Sequence, residues 1–169
     1  MSETLIQLCH HNIWASEQVF DACEPLSDAH LDATMPGAFG SIRSTLMHIA
    51  GAQERMAMAL AGAPVSENRD RDPFPGLAEL RGRVRRSGEM LAEAASRAPD
   101  GATVTTTWRG ETFTLPAWVL LAQALTHATE HRTQIAAILT QQGIEPPGMD
   151  VWTYHEDRFN ADWSQLWSG

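Results

Sequence analysis

The stretch PAWVLLAQALTHATEHRTQIAAILTQQG, residues 116–143, decides the fold. Between Pro116 and Gly143 it holds no glycine or proline. It therefore reads as one long helix that opens with Pro116 in its first turn and continues to Gln142, where Gly143 supplies the left-handed C-cap. On that helix His127 and His131 lie about 40° apart around the axis and about 6 Å along it, so both rings can reach one ion. Taking His127 as zero, Leu120 and Ile138 fall at about 20°, Ala124 at about 60° and Ile135 at about 80°, which turns the pair inward. Two imidazoles on an interior stripe need polar partners, because an unpaired buried polar group costs about 1–3 kcal/mol. A metal ion satisfies both at once. Ordinary hydrogen-bond partners or solvent do so too, and the pair alone does not choose between them.

Working outward, three more helices share this length. Glu3 to about Cys23 carries Leu5, Leu8, Trp14, Val19 and Phe20 and ends at Glu24-Pro25. Ser27 to Gly40, with Pro36, Gly37 and Gly40, is a connection holding one short helical turn. A second helix runs from an N-cap at Gly40 or Ser41 to about Ala61, stopped by Gly62 and Pro64, and Val65 to Gly76 is a loop. Leu77 to Ala98 forms a third, which Gly82 and Gly88 weaken by about 1 kcal/mol each relative to Ala. Thr103 to Leu115 changes character: β-branched and aromatic residues flank Arg109-Gly110, the pattern of a short hairpin. The aromatic tail from Asp150 to Trp167 packs back as a short helix plus a strap. Helices of about 20 to 27 residues span about 30 to 40 Å, which suits an all-α four-helix bundle with a small β-hairpin before the last long helix. One domain covers residues 1–169, and the long connections leave its topology open.

Charge and composition exclude several function classes. Twelve basic residues, all Arg, face 21 acidic ones, a net charge of −9. Such a balance argues against nucleic-acid binding and against a membrane-surface role, both of which need a basic face. No apolar run approaches the roughly 20 residues that span a bilayer, and Met1-Ser2-Glu3-Thr4 lacks the positive region of a signal peptide, so the expected location is the cytoplasm. Cys9 and Cys23 have no second cysteine at redox or metal spacing and are expected to be buried small hydrophobes.

The remaining chemistry rests on histidine. His48 is the natural third ligand, although the apolar stripe Leu46, Ile49, Gln53, Met56 and Leu60 is centred about 120° away from it. It lines up instead with Ser41, Ser44, Ala52 and Ala59, small residues that let another helix approach while an imidazole reaches across. Three neutral histidines leave an open coordination position, as in catalytic zinc sites, and nickel, zinc, iron or manganese are all admissible. His10 and His11 point about 100° apart and cannot share an ion. His30 is expected to be solvated, while His155 is a candidate to fold over the bundle mouth. Glu130 is a candidate second partner or general base and equally an exposed helical residue. Arg81, Arg83, Arg85 and Arg86 read as a solvated face pairing with nearby Glu. Phosphate loops, a nucleophile elbow and H-E-x-x-H are absent, and no Glu-x-x-His repeats on two helices, which removes the di-iron carboxylate class.

Three stretches in this order carry a family resemblance: His11-Asn12-Ile13-Trp14-Ala15 with Val19-Phe20, then Gly40-Ser41-Ile42 on to Leu46-Met47-His48-Ile49, then His127-Ala128-Thr129-Glu130-His131-Arg132-Thr133-Gln134. The closing segment Asp150-Val151-Trp152-Thr153-Tyr154 fits as well. Together they resemble the DinB-like superfamily, metal-binding four-helix bundles that include YfiT-type proteins, bacillithiol transferases and mycothiol-dependent maleylpyruvate isomerase. Thr133 stands where that family often has Gly. The resemblance implies an up-down-down-up bundle with a facial three-histidine site at one end, ligands His48, His127 and His131, and one divalent ion, nickel or zinc foremost. It further implies a low-molecular-weight thiol as cosubstrate, a small-molecule electrophile, and a homodimer. A thiol S-transferase is the leading expectation. A metal-dependent hydrolase and a non-catalytic, stress-associated metal-binding protein are the alternatives, since fold alone does not choose among them.

Overall fold

The computed structural model describes residues 3–108 and 110–163. Six helices and one hairpin follow in order: α1 (Glu3–Cys23), α2 (Asp28–Leu31), α3 (Ile42–Leu60), α4 (Leu77–Arg97), β1 (Thr103–Trp108), β2 (Glu111–Pro116), α5 (Ala117–Gln141) and α6 (Val151–Phe159). Local chemistry sets these limits. Ser41, extended at φ −68° and ψ 164°, caps α3 by accepting the Ser44 N–H, and Asp150 caps α6 by accepting from Trp152 and Thr153. Gly143 follows α5 at φ +74°, the left-handed conformation that closes a helix. Pro116 departs from the sequence expectation. It pairs with Thr103 as the last residue of β2 and is the N-cap of α5, so the helix begins one residue later. The hairpin holds Pro116 extended at ψ 135°, and the Ala117 N–H donates to the Ala102 carbonyl. Trp167 lies outside the described residues.

Two apolar clusters fix the helix directions. One joins Val19, Phe20 and Cys23 of α1 to Ile42 and Leu46 of α3, Leu80 and Val84 of α4, and Ile135, Ile138 and Leu139 of α5. The other joins Cys9, Ala57, Leu91, Ala95, Leu121 and Ala124 from the opposite parts of the same four helices. Hence α1 and α5 run toward the first cluster while α3 and α4 run away from it, which is the up-down-down-up order. Helices α1 and α3 each pack on both α4 and α5, so they are diagonal to one another. Because α3 ends at the second cluster and α4 starts at the first, the loop of residues 61–76 must travel back along the outside of the bundle. That return path carries it past one face of α3.

Between the clusters lies a buried polar layer with a member from each long helix. Arg132 donates to Asn12 Oδ1 (2.6 Å) and Ser16 Oγ (3.0 Å); Asn12 Nδ2 donates to Gln53 Oε1 (2.8 Å); Gln53 Nε2 donates to Ser87 Oγ and to the Val84 carbonyl, both at 2.8 Å. Gln53, counted on the apolar stripe from sequence, is the polar hub of this layer. Gly88 matters for a different reason: a Cβ there would stand 2.4 Å from Ile13 Cγ1, so glycine is what lets α1 and α4 approach. Its cost in helix propensity is therefore tied to packing. Cys9 and Cys23 are free and buried, and burial pushes their thiols up to about 11 and about 12. The arginine run pairs as expected, Arg81 with Asp21, Arg83 with Glu54 and Arg85 with Glu17. No helix among the described residues is long and apolar enough to cross a membrane.

Candidate metal centre

His48, His127 and His131 come together where α3 meets α5, with one ligand atom from each lying within 4.8 Å of the others. The site sits partway along both helices; His48 is about 9 Å inside the start of α3, counted at 1.5 Å per residue, rather than at an end of the bundle. The small-residue flank read from sequence explains the approach, since α3 packs on α5 with His48 half-buried between them. The α5 pair needs one adjustment. The buried residues Leu121, Ala128, Ile135 and Leu139 centre about 100° from His127, so the pair occupies the rim of the buried arc, not its middle. That rim is the side facing α3.

Each outer ring is held by a partner on its far nitrogen. His48 Nδ1 lies 2.7 Å from Asp70 Oδ2, so the carboxylate accepts a hydrogen bond from Nδ1–H, and in the neutral ring Nε2 keeps the lone pair. Gln134 Oε1 accepts from the Phe39 N–H at 3.1 Å and also faces His131 Nδ1 at 2.9 Å. That oxygen can only accept, so His131 Nδ1 donates and its Nε2 is also a lone-pair atom. Metal-ligating histidines carry this arrangement, in which the outer partner fixes tautomer and ring orientation. Phe39 adds a steric wall, stacked on the His48 ring at 4.0 Å between centroids and edge-on to His131 at 5.3 Å.

His48 Nε2 and His127 Nε2 stand 3.0 Å apart. Burial lowers the His127 pKa to about 4, with the charges of His131, His48 and Arg55 acting in the same direction and Asp70 opposing. The ring is therefore neutral near pH 7 and offers nitrogen without first losing a proton. Tetrahedral coordination at 2.0–2.1 Å sets neighbouring donors about 3.3 Å apart; the His48 and His127 pair stands at 3.0 Å and all three ligand atoms lie within 4.8 Å of one another. Three imidazoles with no carboxylate among them suit zinc, nickel or iron(II) better than magnesium or calcium, which prefer oxygen. The residues fit a divalent ion of the imidazole-binding type.

Other sequence candidates lie elsewhere. Glu130 is exposed and makes no hydrogen bond or ion pair to the three histidines among the described residues. Residue 130 is about 100° back from His131 on the solvent side, so it is not a partner of the cluster. His155 does not cover the site: it stacks on Phe159 and meets Trp163, because α6 packs on α1, diagonal to α3. His11 holds the Met149 carbonyl at 2.8 Å and packs against Trp14 and Tyr154, His30 pairs with Ser27, and His10 is exposed. Sequence reasoning missed Asp70. It stands in a loop whose mixture of charges gives no sign of which acid turns inward, and only the return path of that loop brings it to His48.

Fold and cluster together define a four-helix bundle with a three-histidine centre able to hold a divalent ion. The chain belongs to the DinB family, whose family model matches residues 1–163. Its fold is similar to that of a DinB-like protein from Bacillus cereus ATCC 10987, solved by crystallography, with a TM-score of 0.63 at 18% identity over 86% of this chain and 95% of that one. None of the curated proteins compared with the chain matches it.

Proposed function

We propose that this protein is a divalent-metal-dependent thiol S-transferase whose ligands are His48, His127 and His131. The observation that carries the reading is the convergence of three imidazole rings, two of them oriented by Asp70 and Gln134. A divalent ion held there supplies Lewis acidity and positive charge, which lowers the pKa of a thiol and favours its nucleophilic thiolate at neutral pH. The chain's own residues hold the remaining parts. Asp70 balances charge behind His48, and Phe39 walls the site beside His48 and His131. The thiolate sulfur forms a bond to an electrophilic carbon, and the leaving group departs with its electron pair.

Hydrolysis is supported less well. Activation of water benefits from a carboxylate base near the ion, and among the described residues no carboxylate belongs to the ligand group, while Glu130 is exposed. The decisive experiment follows loss of a chlorinated nitroaromatic with and without an added low-molecular-weight thiol. The transferase reading expects thiol-dependent turnover that His127→Ala abolishes. Turnover without thiol supports a hydrolase instead, and absence of turnover in either condition, with a large melting-temperature drop on chelation, supports the metal-binding protein.

A further inference from the structure

Arg55 is the feature that neither the packing nor the histidine cluster uses. It lies seven residues after His48 on α3, hence on the same face and about two helical turns along. Its side chain is buried, only 5% exposed, yet no hydrogen bond or ion pair joins it to any described residue, and Nε has no partner. Arg132, the other buried arginine among the described residues, feeds the polar layer through its Nη1. A guanidinium offers five N–H donors, and leaving them unmet out of water is costly.

The space around Arg55 is shaped. Its guanidinium lies under the Trp108 indole, 5.4 Å from the ring centroid. It lines a cleft of about 770 Å³ between α3, the returning loop and the hairpin, with Pro64, Val65, Thr106 and Trp108 on the walls and the acid Glu67 also present. Nη1 would be 3.1 Å from a Cβ at Gly51, and Asp70 Oδ1 3.4 Å from the same point. Glycine at position 51 thus makes the hollow in which the guanidinium folds back toward His48. Asp70 Oδ1 is itself buried without a partner, while Oδ2 is committed to His48 Nδ1. Asp70 and Glu54 offset part of the burial that lowers the Arg55 pKa, but neither comes within ion-pairing distance of it.

We infer that Arg55 and Trp108 form an anion subsite that binds the carboxylate of a small organic acid with an apolar or aromatic body. The planar fork of the guanidinium matches a carboxylate in a bidentate manner, and the indole gives the adjoining body an apolar wall. Identification of this acid as the substrate of the histidine centre rests on the function proposed above. The anion subsite itself does not, because none of its donors is a ligand.

Benzoate and its neutral counterpart benzamide are the probes, titrated into the full-length protein after chelation so that the outcome is independent of any ion. Calorimetry is expected to show saturable binding with benzoate preferred. Arg55→Gln, with an unchanged circular-dichroism spectrum, is expected to weaken benzoate at least tenfold and to erase its preference over benzamide. Asp70→Asn is expected to bind benzoate at least as tightly as the parent, because the Asp70 charge beside the same hollow repels a bound carboxylate and its removal relieves that repulsion. A structural role for Arg55 would not give that sign. Should Arg55→Gln fail to fold, the Arg55 Nε–H signal in the parent protein is expected to shift saturably with benzoate and not with benzamide. Equal benzoate affinity in parent and Arg55→Gln, weaker binding in folded Asp70→Asn, or an unmoved Nε–H signal would each overturn the inference. A failure here leaves metal stoichiometry untouched, so it is distinguishable from failure of the transferase reading.

Discussion

Asn12→Ala is a severe test of the buried polar layer. Asn12 Oδ1 accepts from Arg132 Nη1 at 2.6 Å, while Asn12 Nδ2 donates to Gln53 Oε1 at 2.8 Å. Among the described residues Arg132 has no carboxylate partner, and burial lowers its pKa to about 10. Truncation removes a charge-assisted hydrogen bond worth about 1.5–3 kcal/mol and leaves Gln53 Oε1 unsatisfied at about 1–3 kcal/mol. The expected loss is about 3–5 kcal/mol, a large share of the roughly 5–15 kcal/mol that holds a typical domain together. At about 2–4 °C per kcal/mol for a chain of this size, the melting temperature falls by roughly 6–20 °C. Urea unfolding measures the free energy, with an unchanged m-value confirming that the folded and unfolded states are comparable. The double variant Asn12→Ala/Arg132→Met is expected to lose less than the sum of the two single losses, because removing the cation also removes what Asn12 solvates. A loss under about 1 kcal/mol in the single variant, or strict additivity in the pair, would refute the reasoning.

Two further outcomes follow from the same geometry. Asp70→Asn keeps an acceptor for His48 Nδ1 but removes the charge, so metal affinity measured against a competing chelator is expected to fall about 10- to 100-fold; an unchanged affinity would mean that the carboxylate is incidental. Cys9 and Cys23 titrate near 9.0 when unfolded and near 11 and 12 when folded, so the unfolded chain releases protons first and stability declines as pH rises past 9. The chain has no lysine and one tyrosine, which keeps this range clear of most other titrations; Arg132, lowered to about 10 by burial, is the exception and offsets a small part of the loss. Urea midpoints at pH 8 and pH 10 are expected to reflect a loss of about 3 kcal/mol, and iodoacetamide at pH 8 should label neither thiol before denaturant is added.

The sequence exposes features that are local in the chain and hides those made by its path. Gly62-Ala63-Pro64 and the Gly143 cap mark helix ends because backbone conformation decides them within a few residues. The i, i+4 spacing of His127 and His131 is likewise visible without knowing the fold. His48 is harder: a helical wheel finds the apolar stripe, whereas this histidine lies on a flank of small residues whose meaning depends on which helix packs there. Asp70, Phe39 and Arg55 were not legible as parts of a site. Asp70 and Phe39 join it through a loop that returns along the bundle and a turn before α3, and Arg55 lies in a cleft beneath the hairpin, none of which leaves a periodic trace. Gln53 shows the opposite error, since its position on an apolar stripe concealed a buried hydrogen-bond hub.

The central claim is that α3 and α5 together hold one ion. Metal analysis of the dialysed wild type beside His48→Ala tests it most directly, with circular dichroism confirming that both remain helical. About one divalent ion per wild-type chain and a near-complete loss in the variant are expected. Equal stoichiometry in the two proteins would contradict it.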